Sequence, residues 1–530
     1  MPIQLKDVNG NLVAMTNAQK TQFVTELGVA FSNQAAKSWR GIGQGMSLAI
    51  QGFAGGANVW SQTNRTRHYS NVRFKRVRAV LQTFWMTGNP IADTLFTTDY
   101  NFQVGFELGY TNAVTGLQPR LPFTFSGSTV ASYRVATPPA NGYIVSDVLE
   151  LPRYVEASEF YGLWTTTEAA GRTGDNLIPY SRNGSNYNQR YVGAINSPGV
   201  SQIDANSCFA ATSVNATTTS QSGASSYYSP CMLLVETDDG RPFVFIMGDS
   251  ISYGVGEGAG GSGAYGDTLG SPLSNSGWAE RAIYENLGYS AVNVSKGSDR
   301  AQYFANPNNW KYRRALMQLA NPTHVISSNV HNDIATTISI NGRVVSTQYA
   351  KYDVFLSNGN MYMCSLDGTT SANSAGLTAT SKAVLDGTAF FEYLNSPTST
   401  GRAAAQIFAW QANLNQQILT ATPNAKIIGM LPTPDAGSTD GWLTVENQTA
   451  STNWGDATSR RGVIYSLMAA NRARLGYSAL VDPNTYLEAG APNTTSKWFA
   501  DGSNKLTNDG VHDNSYGYFM HAKALTADLF

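Results

Sequence analysis

The sequence predicts an α/β domain with a five-stranded parallel sheet over residues 241–530, preceded by an all-β sandwich or jelly-roll domain over 57–240. A small β insert is expected at about 336–398. Three observations carry this reading. From residue 241 onward, short apolar runs alternate with segments of helical length, the pattern of parallel strands joined by right-handed crossovers. Between 57 and 240, strand follows strand across Gly, Asn, Ser and Pro turns, without helical periodicity. Inside the second half, a hairpin signature around Ser357-Asn358-Gly359-Asn360 breaks the alternation.

At 530 residues the length suits roughly three domains. Residues 1–56 read as an N-terminal adaptor. Thr16 to Phe31 has the pattern of a short amphipathic helix capped by Thr16 or Asn17, followed by the glycine-rich Gly41 to Gly45 and Gly52 to Gly56. An attachment arm and a helix packed on the next domain fit this segment equally. In the β domain, Val72 to Met86, Asn101 to Tyr110, Thr129 to Val135 and Ser146 to Val155 read as strands. Arg65, Arg67, Arg73, Lys75, Arg76 and Arg78 cluster, as an attraction for an acidic polysaccharide or, the favoured reading, as a solvated strand face. Trp60, Trp85 and Trp164 are suited to stack on sugar rings or to fill the core. Ala211 to Pro230 holds few large apolar side chains and reads as an exposed loop or a last hairpin, which puts the domain boundary near 240.

In the α/β half the expected order is strand Phe243 to Met247, a glycine-rich loop Gly254 to Gly270, helix Trp278 to Leu287 and strand Ala291 to Val294. A helix around Trp310 to Leu319, strand His324 to Ser328, helix Gly401 to Leu419 and strand Ala425 to Met430 follow. Helix Ala457 to Leu475, strand Ser478 to Val481 and a helix from Tyr516 close the chain. The glycine-rich loop has no Gly-Lys-Ser/Thr ending, so a nucleotide phosphate site is rejected. In the insert, Tyr352 to Leu356, Met361 to Cys364 and Ala389 to Tyr393 are the expected strands.

Composition narrows the function. A formal net charge of −1 argues against a general nucleic-acid binder. No apolar run is long enough to span a bilayer, and MPIQLKDVNGNLVAMTNAQK lacks the plan of a signal peptide. With only 13% charged residues and many small polar and aromatic ones, the chain suits a virion or extracellular setting reached without a signal, host lysis being one route. Of Cys208, Cys231 and Cys364, the first two could pair, though free buried thiols are favoured. The spacing of Cys and His argues against a structural zinc site.

The chemistry concentrates in Phe243 to Ser252, FVFIMGDSIS. A buried apolar strand ending in Gly248-Asp249-Ser250 can present Ser250 at the carboxyl edge of the sheet, where open α/β sheets bind ligands. A serine nucleophile needs a base, and the chain offers five histidines, His68, His324, His331, His512 and His521. His512 lies in Asp509-Gly510-Val511-His512, where a carboxylate three residues earlier can hold the imidazole in the tautomer that accepts the serine proton. A metal shared by His331 and His512 is the weaker alternative.

These residues resemble the SGNH (GDSL-type) serine hydrolases in four blocks and in the family's order: Gly248-Asp249-Ser250, Gly297 after Asn293-Val294-Ser295-Lys296, Asn332-Asp333, and Asp509 with His512. The resemblance implies a flavodoxin-like sheet, catalysis by Ser250, His512 and Asp509, and an oxyanion hole made by the Ser250 and Gly297 N–H groups and the Asn332 amide. It implies no cofactor and no metal. Two positions depart from the family. Val330 stands where a glycine is usual, a strained place if the turn needs a positive φ. Asp513 follows the histidine where proline is frequent, and an inward carboxylate there would raise the pKa of His512. The insert also resembles a β module of phage virion proteins. The expected function is therefore a serine esterase that removes O-acetyl or similar short acyl groups from an acylated bacterial surface polysaccharide, carried on a virion. Virion attachment through the N-terminus and a homotrimer are left open. A carbohydrate-binding fibre without activity, and a lipase or thioesterase acting on acyl chains, are the competing readings.

Overall fold

A computed structural model describes residues 37–43, 46, 49–50, 61–86, 92–111, 115, 117–169, 180–181, 190–195, 207–209, 228–256, 277–394 and 398–530. The expected helix Thr16 to Phe31, Gly52 to Gly56, Trp60, and most of Ala211 to Pro230 and of Gly254 to Gly270 lie outside the described residues.

The first half holds three sheets, a small one of Tyr180–Ser181, Ala49–Ile50, Phe84–Met86 and Asp93–Leu95 and two larger antiparallel ones packed as a sandwich. One sheet orders Ser38–Ile42, Met232–Thr237, Phe74–Gln82 and Tyr143–Val145, with Leu149–Val155 also on Phe74–Gln82. The other orders Arg190–Ile195, Ser61–Ser70, Glu159–Ala169, Tyr100–Leu108 and Arg120–Pro122, with Ala131–Tyr133 on Tyr100–Leu108. Strand alternation explains why they pack. Leu233 and Val235 point with Ala79 and Leu81 into the core shared with Phe102, Val104, Phe106, Tyr161 and Leu163. Their neighbours Met232, Leu234 and Val80 point the other way, onto Val292, Leu316, Met317 and Ala320 of the second half. Around Ala79-Val80-Leu81 the first sheet is thus buried on both faces, which accounts for that unbroken apolar run.

Several expectations are corrected here. Ser38–Ile42 lies inside the span read as an adaptor, yet it is an integral strand paired with Met232–Thr237. A Cβ at Gly41 would sit 2.7 Å from the Ala320 Cβ, so this strand presses directly on a helix of the second half. Val72 to Met86 is two strands, Phe74–Gln82 and Phe84–Met86, which join different sheets. Ser61–Ser70 pairs along its whole length with Glu159–Ala169. Its Arg65 is fully buried against Glu107 at 2.6 Å, and Trp164 Nε1 donates to the same carboxylate at 2.7 Å. Beyond Arg65 the basic cluster is the solvated face the sequence favours, with partly exposed pairs: Arg73 meets Glu156, Lys75 meets Glu150, Arg76 meets Glu236, and Arg78 donates to the Ser146 carbonyl. Trp85 and Trp164 are buried core residues.

The second half holds five parallel strands in the order Ser290–Asn293, Phe243–Gly248, His324–Ser328, Lys426–Met430, Tyr477–Val481. Numbered along the chain this is 2-1-3-4-5, the flavodoxin order, whose switch point lies beside the first strand. Phe245, Met247, Val325 and Ile427 face the layer that holds helices Lys311–Ala320, Ser399–Ala421 and Arg460–Ala470. Val244, Ile246, Ile326 and Ile428 face Trp278, Ile283 and Tyr518 on the other side. The helix expected over Ala457 to Leu475 is shorter, because Ser459 caps it by accepting the Gly462 N–H at 3.1 Å. The helix after the glycine-rich loop begins as Gly277–Glu280 and continues as a π-helix, Arg281–Asn286.

The insert is a four-stranded antiparallel sheet, Val354–Ser357, Asn360–Leu366, Ala389–Tyr393 and Val384–Asp386, around Phe355, Tyr362, Cys364 and Phe391. Its hairpin turns at Asn358 (φ 49°) and Gly359 (φ 79°), the two positive dihedrals of a type I′ turn. All three cysteines are buried and free. Among the described residues, no helix is long and apolar enough to cross a membrane.

Candidate active site

The site starts where the first parallel strand stops. Gly248 ends it in a spot without room for a side chain: a Cβ there would lie 2.4 Å from Ser252 Oγ and 2.7 Å from Ser328 Oγ. Asp249 then caps a single helical turn, Ser250–Tyr253, with its Oδ1 accepting the Ile251 N–H at 3.0 Å. Ser250 opens that turn, so its own N–H has no partner within the helix. The Asp249 carboxyl is wholly buried, and burial pushes its pKa up to about 7 against the Ile251 N–H and the charge on His512.

The base arrives on a loop that its own hydrogen bonds shape. Asp509 Oδ1 accepts the N–H groups of Val511 and His512 at 2.9 and 2.8 Å, which closes a tight turn under the imidazole. Asp509 Oδ2 pairs with His512 Nδ1 at 2.7 Å, and His512 Nε2 pairs with Ser250 Oγ at 2.8 Å. Thr507 Oγ1 braces the loop, accepting from the Gly510 N–H at 2.9 Å and donating to the His512 carbonyl at 2.7 Å. Gly510 has φ +85°, and a Cβ there would fall 2.0 Å from the Ala436 carbonyl oxygen. Gly510→Ala is therefore expected to destabilise by more than the roughly 1–2 kcal/mol of the backbone term, and to lower turnover by displacing His512. The matched control is Gly502→Ala, at φ +82° with nothing within 4 Å of its Cβ. Thermal unfolding and turnover of the two variants check this; equal losses would show that the Ala436 contact does not matter.

Burial works against charge on His512, but the bond from Asp509 and the charges of Asp509, Asp249 and Asp513 outweigh it and raise its pKa. Burial likewise opposes ionisation of Asp509, and the bonds from the His512 ring and from the His512 and Val511 backbone reverse that, so its pKa is lowered. Asp513 does point inward. It is fully buried, its Oδ2 2.9 Å from His521 Nδ1, and the His521 ring stacks on Trp278 at 4.6 Å. A second Asp–His pair thus stands behind the first.

The remaining expected residues also come to this edge. A Cβ on Gly297 would lie 3.9 Å from the Ser250 Cβ, so residue 297 faces the nucleophile. Its loop is tied to the first strand by the Lys296 N–H, which donates to the Gly248 carbonyl at 3.1 Å. Asn332 Nδ2 donates to the Asp299 carbonyl at 3.1 Å, joining the third expected block to the second and leaving that amide's other N–H for a ligand. Val330 is unstrained. Its φ of −88° is ordinary helical backbone, and its buried side chain packs in the core, so the turn here needs no glycine. Asp333, fully buried, accepts the N–H groups of Ala301 and Gln302 at 2.8 and 3.3 Å. Burial pushes its pKa up to about 8. The Asp299 carboxylate holds Arg313 at 2.6 Å, and Arg313 holds Asp93, in the strand Asp93–Leu95 of the first half, at 2.8 Å, all with side chains 1% exposed or less. The first half therefore reaches the loop that faces Ser250.

Sequence reasoning missed one group beside this site. Asp435 lies in Pro432-Thr433-Pro434-Asp435, past the carboxyl end of the strand Lys426–Met430. It approaches His331, which the sequence offered among the candidate bases and as a metal ligand with His512. The signal that could have found Asp435 is its place beyond a parallel strand's carboxyl end.

No protein-family model and no curated protein matches the chain. Among solved structures it is similar to a family two carbohydrate esterase from Clostridium thermocellum in complex with cellohexaose, at 12% identity over 93% of this chain and 98% of that one, TM-score 0.30. It is also similar to a mutant of an acetyl-xylooligosaccharide esterase from Geobacillus Stearmophilus, at 13% identity over 54% of this chain and 94% of that one, TM-score 0.27. With such identities and TM-scores, what the site does has to be read from its side chains.

Proposed function

We propose that this protein is a serine esterase of the SGNH type that hydrolyses short acyl esters, O-acetyl foremost, on a polysaccharide. The observation that carries the proposal is the unbroken relay from Asp509 through His512 to Ser250, at 2.7 and 2.8 Å. A relay of this geometry converts a weak hydroxyl nucleophile into a competent one. Ser250 Oγ attacks the ester carbonyl while His512 Nε2 takes its proton, and Asp509 steadies the imidazolium. The Ser250 and Gly297 N–H groups and the free N–H of the Asn332 amide hold the oxyanion. His512 returns the proton to the departing alcohol, then activates a water that releases the acyl group from Ser250.

The segment after Ser250 is mostly Gly, Ser and other small residues rather than an apolar lid, which favours a short acyl group over a fatty chain. Low charge and the likeness of the insert to a phage virion module extend the proposal to an enzyme acting on a bacterial surface outside the cell. A non-catalytic binding fibre drew its support from Val330, whose ordinary backbone removes it. Hydrolysis of p-nitrophenyl acetate, butyrate and octanoate tests the acyl preference. Acetate is expected to be cleaved fastest, and octanoate in first place would sink the short-acyl reading.

Asn332→Ala is expected to lower kcat by about 10²–10³, the worth of one oxyanion donor, with a smaller change in KM. Unfolding is followed in parallel, because the same amide anchors the Asp299 carbonyl. Unchanged turnover in a folded variant would remove Asn332 from the hole.

A further inference from the structure

Trp442 holds a backbone conformation that its side chain gives no reason to adopt. Gly441 and Trp442 take consecutive positive φ values of 74° and 61°, a pair of dihedrals that Asn-Gly or Gly-Gly ordinarily fills. For a residue as bulky as tryptophan the second is strained. Hydrogen bonds impose it. Asp440 Oδ1 accepts the Leu443 N–H at 3.1 Å, and its Oδ2 accepts the Thr444 N–H at 3.0 Å and the Asn447 amide at 3.1 Å. Ser438 Oγ accepts the Trp442 N–H at 2.9 Å. The indole is fixed as firmly as its backbone. Its Nε1–H donates to the Ala436 carbonyl at 2.9 Å, and the ring packs against the cluster of Leu487, Trp498 and Leu506. It is nonetheless only half-buried, and Leu443 beside it is 42% exposed. Strain held in place around a partly open apolar ring points to a use for that ring.

Its position supplies one. A Cβ on Gly510 would lie 3.0 Å from Trp442 Cζ2. Ala436, whose carbonyl takes the indole N–H, donates its own N–H to the Gly510 carbonyl at 3.1 Å. Gly510 stands two residues before His512, so the ring edge is at most about 12 Å from the His512 Cα. Trp442 therefore flanks the turn that carries the base.

The chemistry of the relay says what lies on that side. His512 Nε2, 2.8 Å from Ser250 Oγ, is the atom that returns a proton to the departing alcohol. The alcohol thus leaves on the His512 side of Ser250, whereas the Gly297 and Asn332 donors hold the carbonyl oxygen. When that alcohol is one hydroxyl of a polysaccharide, the sugars joined to it extend from the same side. A pyranose has a face of C–H groups that packs flat on an indole while its hydroxyls stay in water at the rim. We propose that Trp442 is the platform on which a sugar ring of the leaving glycan stacks. The substrate class is thereby an acylated glycan chain in place of a simple alkyl ester, and the platform rests on the esterase reading.

The test compares kcat/KM on acetylated gluco-, xylo- and manno-oligosaccharides with kcat/KM on p-nitrophenyl acetate, which has no sugar to stack. A loss that reaches the chemistry through the His512 turn falls on both substrates and cancels in their ratio. Trp442→Ala is expected to lower the ratio for the best oligosaccharide by about 10-fold, through KM, as for one aromatic contact. Trp442→Leu, which keeps an apolar side chain on the cluster, should lower it as far and decides the matter if the alanine variant does not fold. Trp442→Phe should retain most of it. A ratio unchanged in the folded variants shows that the ring only braces the turn and overturns the platform alone. Wild type that cleaves p-nitrophenyl acetate and none of the oligosaccharides does the same. Wild type that cleaves none of the esters overturns the esterase reading and the platform with it.

Discussion

Ser250→Ala is expected to lower kcat for ester hydrolysis by about 10⁴–10⁶, His512→Ala by a similar factor, and the double variant no further. The reason is that the two groups act as one unit. The Ser250 hydroxyl, 2.8 Å from His512 Nε2, is a nucleophile only while that nitrogen can take its proton, and the imidazole has nothing to activate once the hydroxyl is gone. Removing either leaves the oxyanion donors in place, so a residual rate above the uncatalysed reaction should persist. Neither change is expected to unfold the protein. Ser250 sits at the start of a turn held by the Asp249 cap, and the His512 loop is closed by Asp509 and Thr507 through backbone groups. Pre-steady-state kinetics with p-nitrophenyl acetate in excess over enzyme read this directly. A burst of p-nitrophenol in wild type, absent in both variants, reports the acyl-enzyme. Losses that multiply in the double variant would mean that Ser250 and His512 work independently, and the relay would then be the wrong description.

How far this was legible in the sequence depends on whether a residue announces itself locally. Phe243 to Met247 reads as a doubly buried strand because every side chain in it is apolar, and the structure buries the whole strand. The pairing of Ser250 with His512 spans most of the second half, yet Asp509 and His512 identify each other at short range and leave one plausible base. Gly297 and Asn332 had no local signal strong enough alone; only the resemblance singled them out, and in the structure residue 297 faces Ser250 while the Asn332 amide, on the short helix His331–Ile334, bonds the Asp299 carbonyl. Polar residues buried against distant partners were not legible. Arg65 in Ser61–Ser70 looks solvated until Glu107 is brought to it. His331 and Asp435 are ordinary in sequence, and only the fold places them 3.8 Å apart. The worry over Val330 came from carrying a family's glycine across, whereas the backbone there is a turn any residue can adopt.

Asp509→Asn is expected to cost about 10⁴ in kcat while leaving the loop standing. An asparagine would keep its oxygen on the Val511 and His512 N–H groups, where Asp509 Oδ1 now sits. Its NH₂ would then face His512 Nδ1 and force that nitrogen to accept, which moves the ring proton to Nε2. Nε2–H opposite Ser250 cannot take the hydroxyl proton, so the loss falls on kcat and not on KM. The same substitution moves the pH profile in a definite direction. His512 must be neutral to act as base, so kcat/KM rises with pH through its pKa. In wild type that pKa is raised despite burial, mostly by Asp509, which puts the midpoint of the rising limb above the ordinary value of about 6.5. Removing the Asp509 charge takes away the largest opposing contribution and lets burial act, so the limb shifts toward acid even as the plateau collapses. Asp509 is 52% exposed, so salt should screen part of its pull and bring the wild-type midpoint down at high ionic strength. Steady-state profiles from pH 5 to 9 at low and high salt separate the two effects. A variant that keeps both its plateau and its midpoint would show that Asp509 does not orient His512, and Asp435 or Asp513 would become the carboxylate to test in its place.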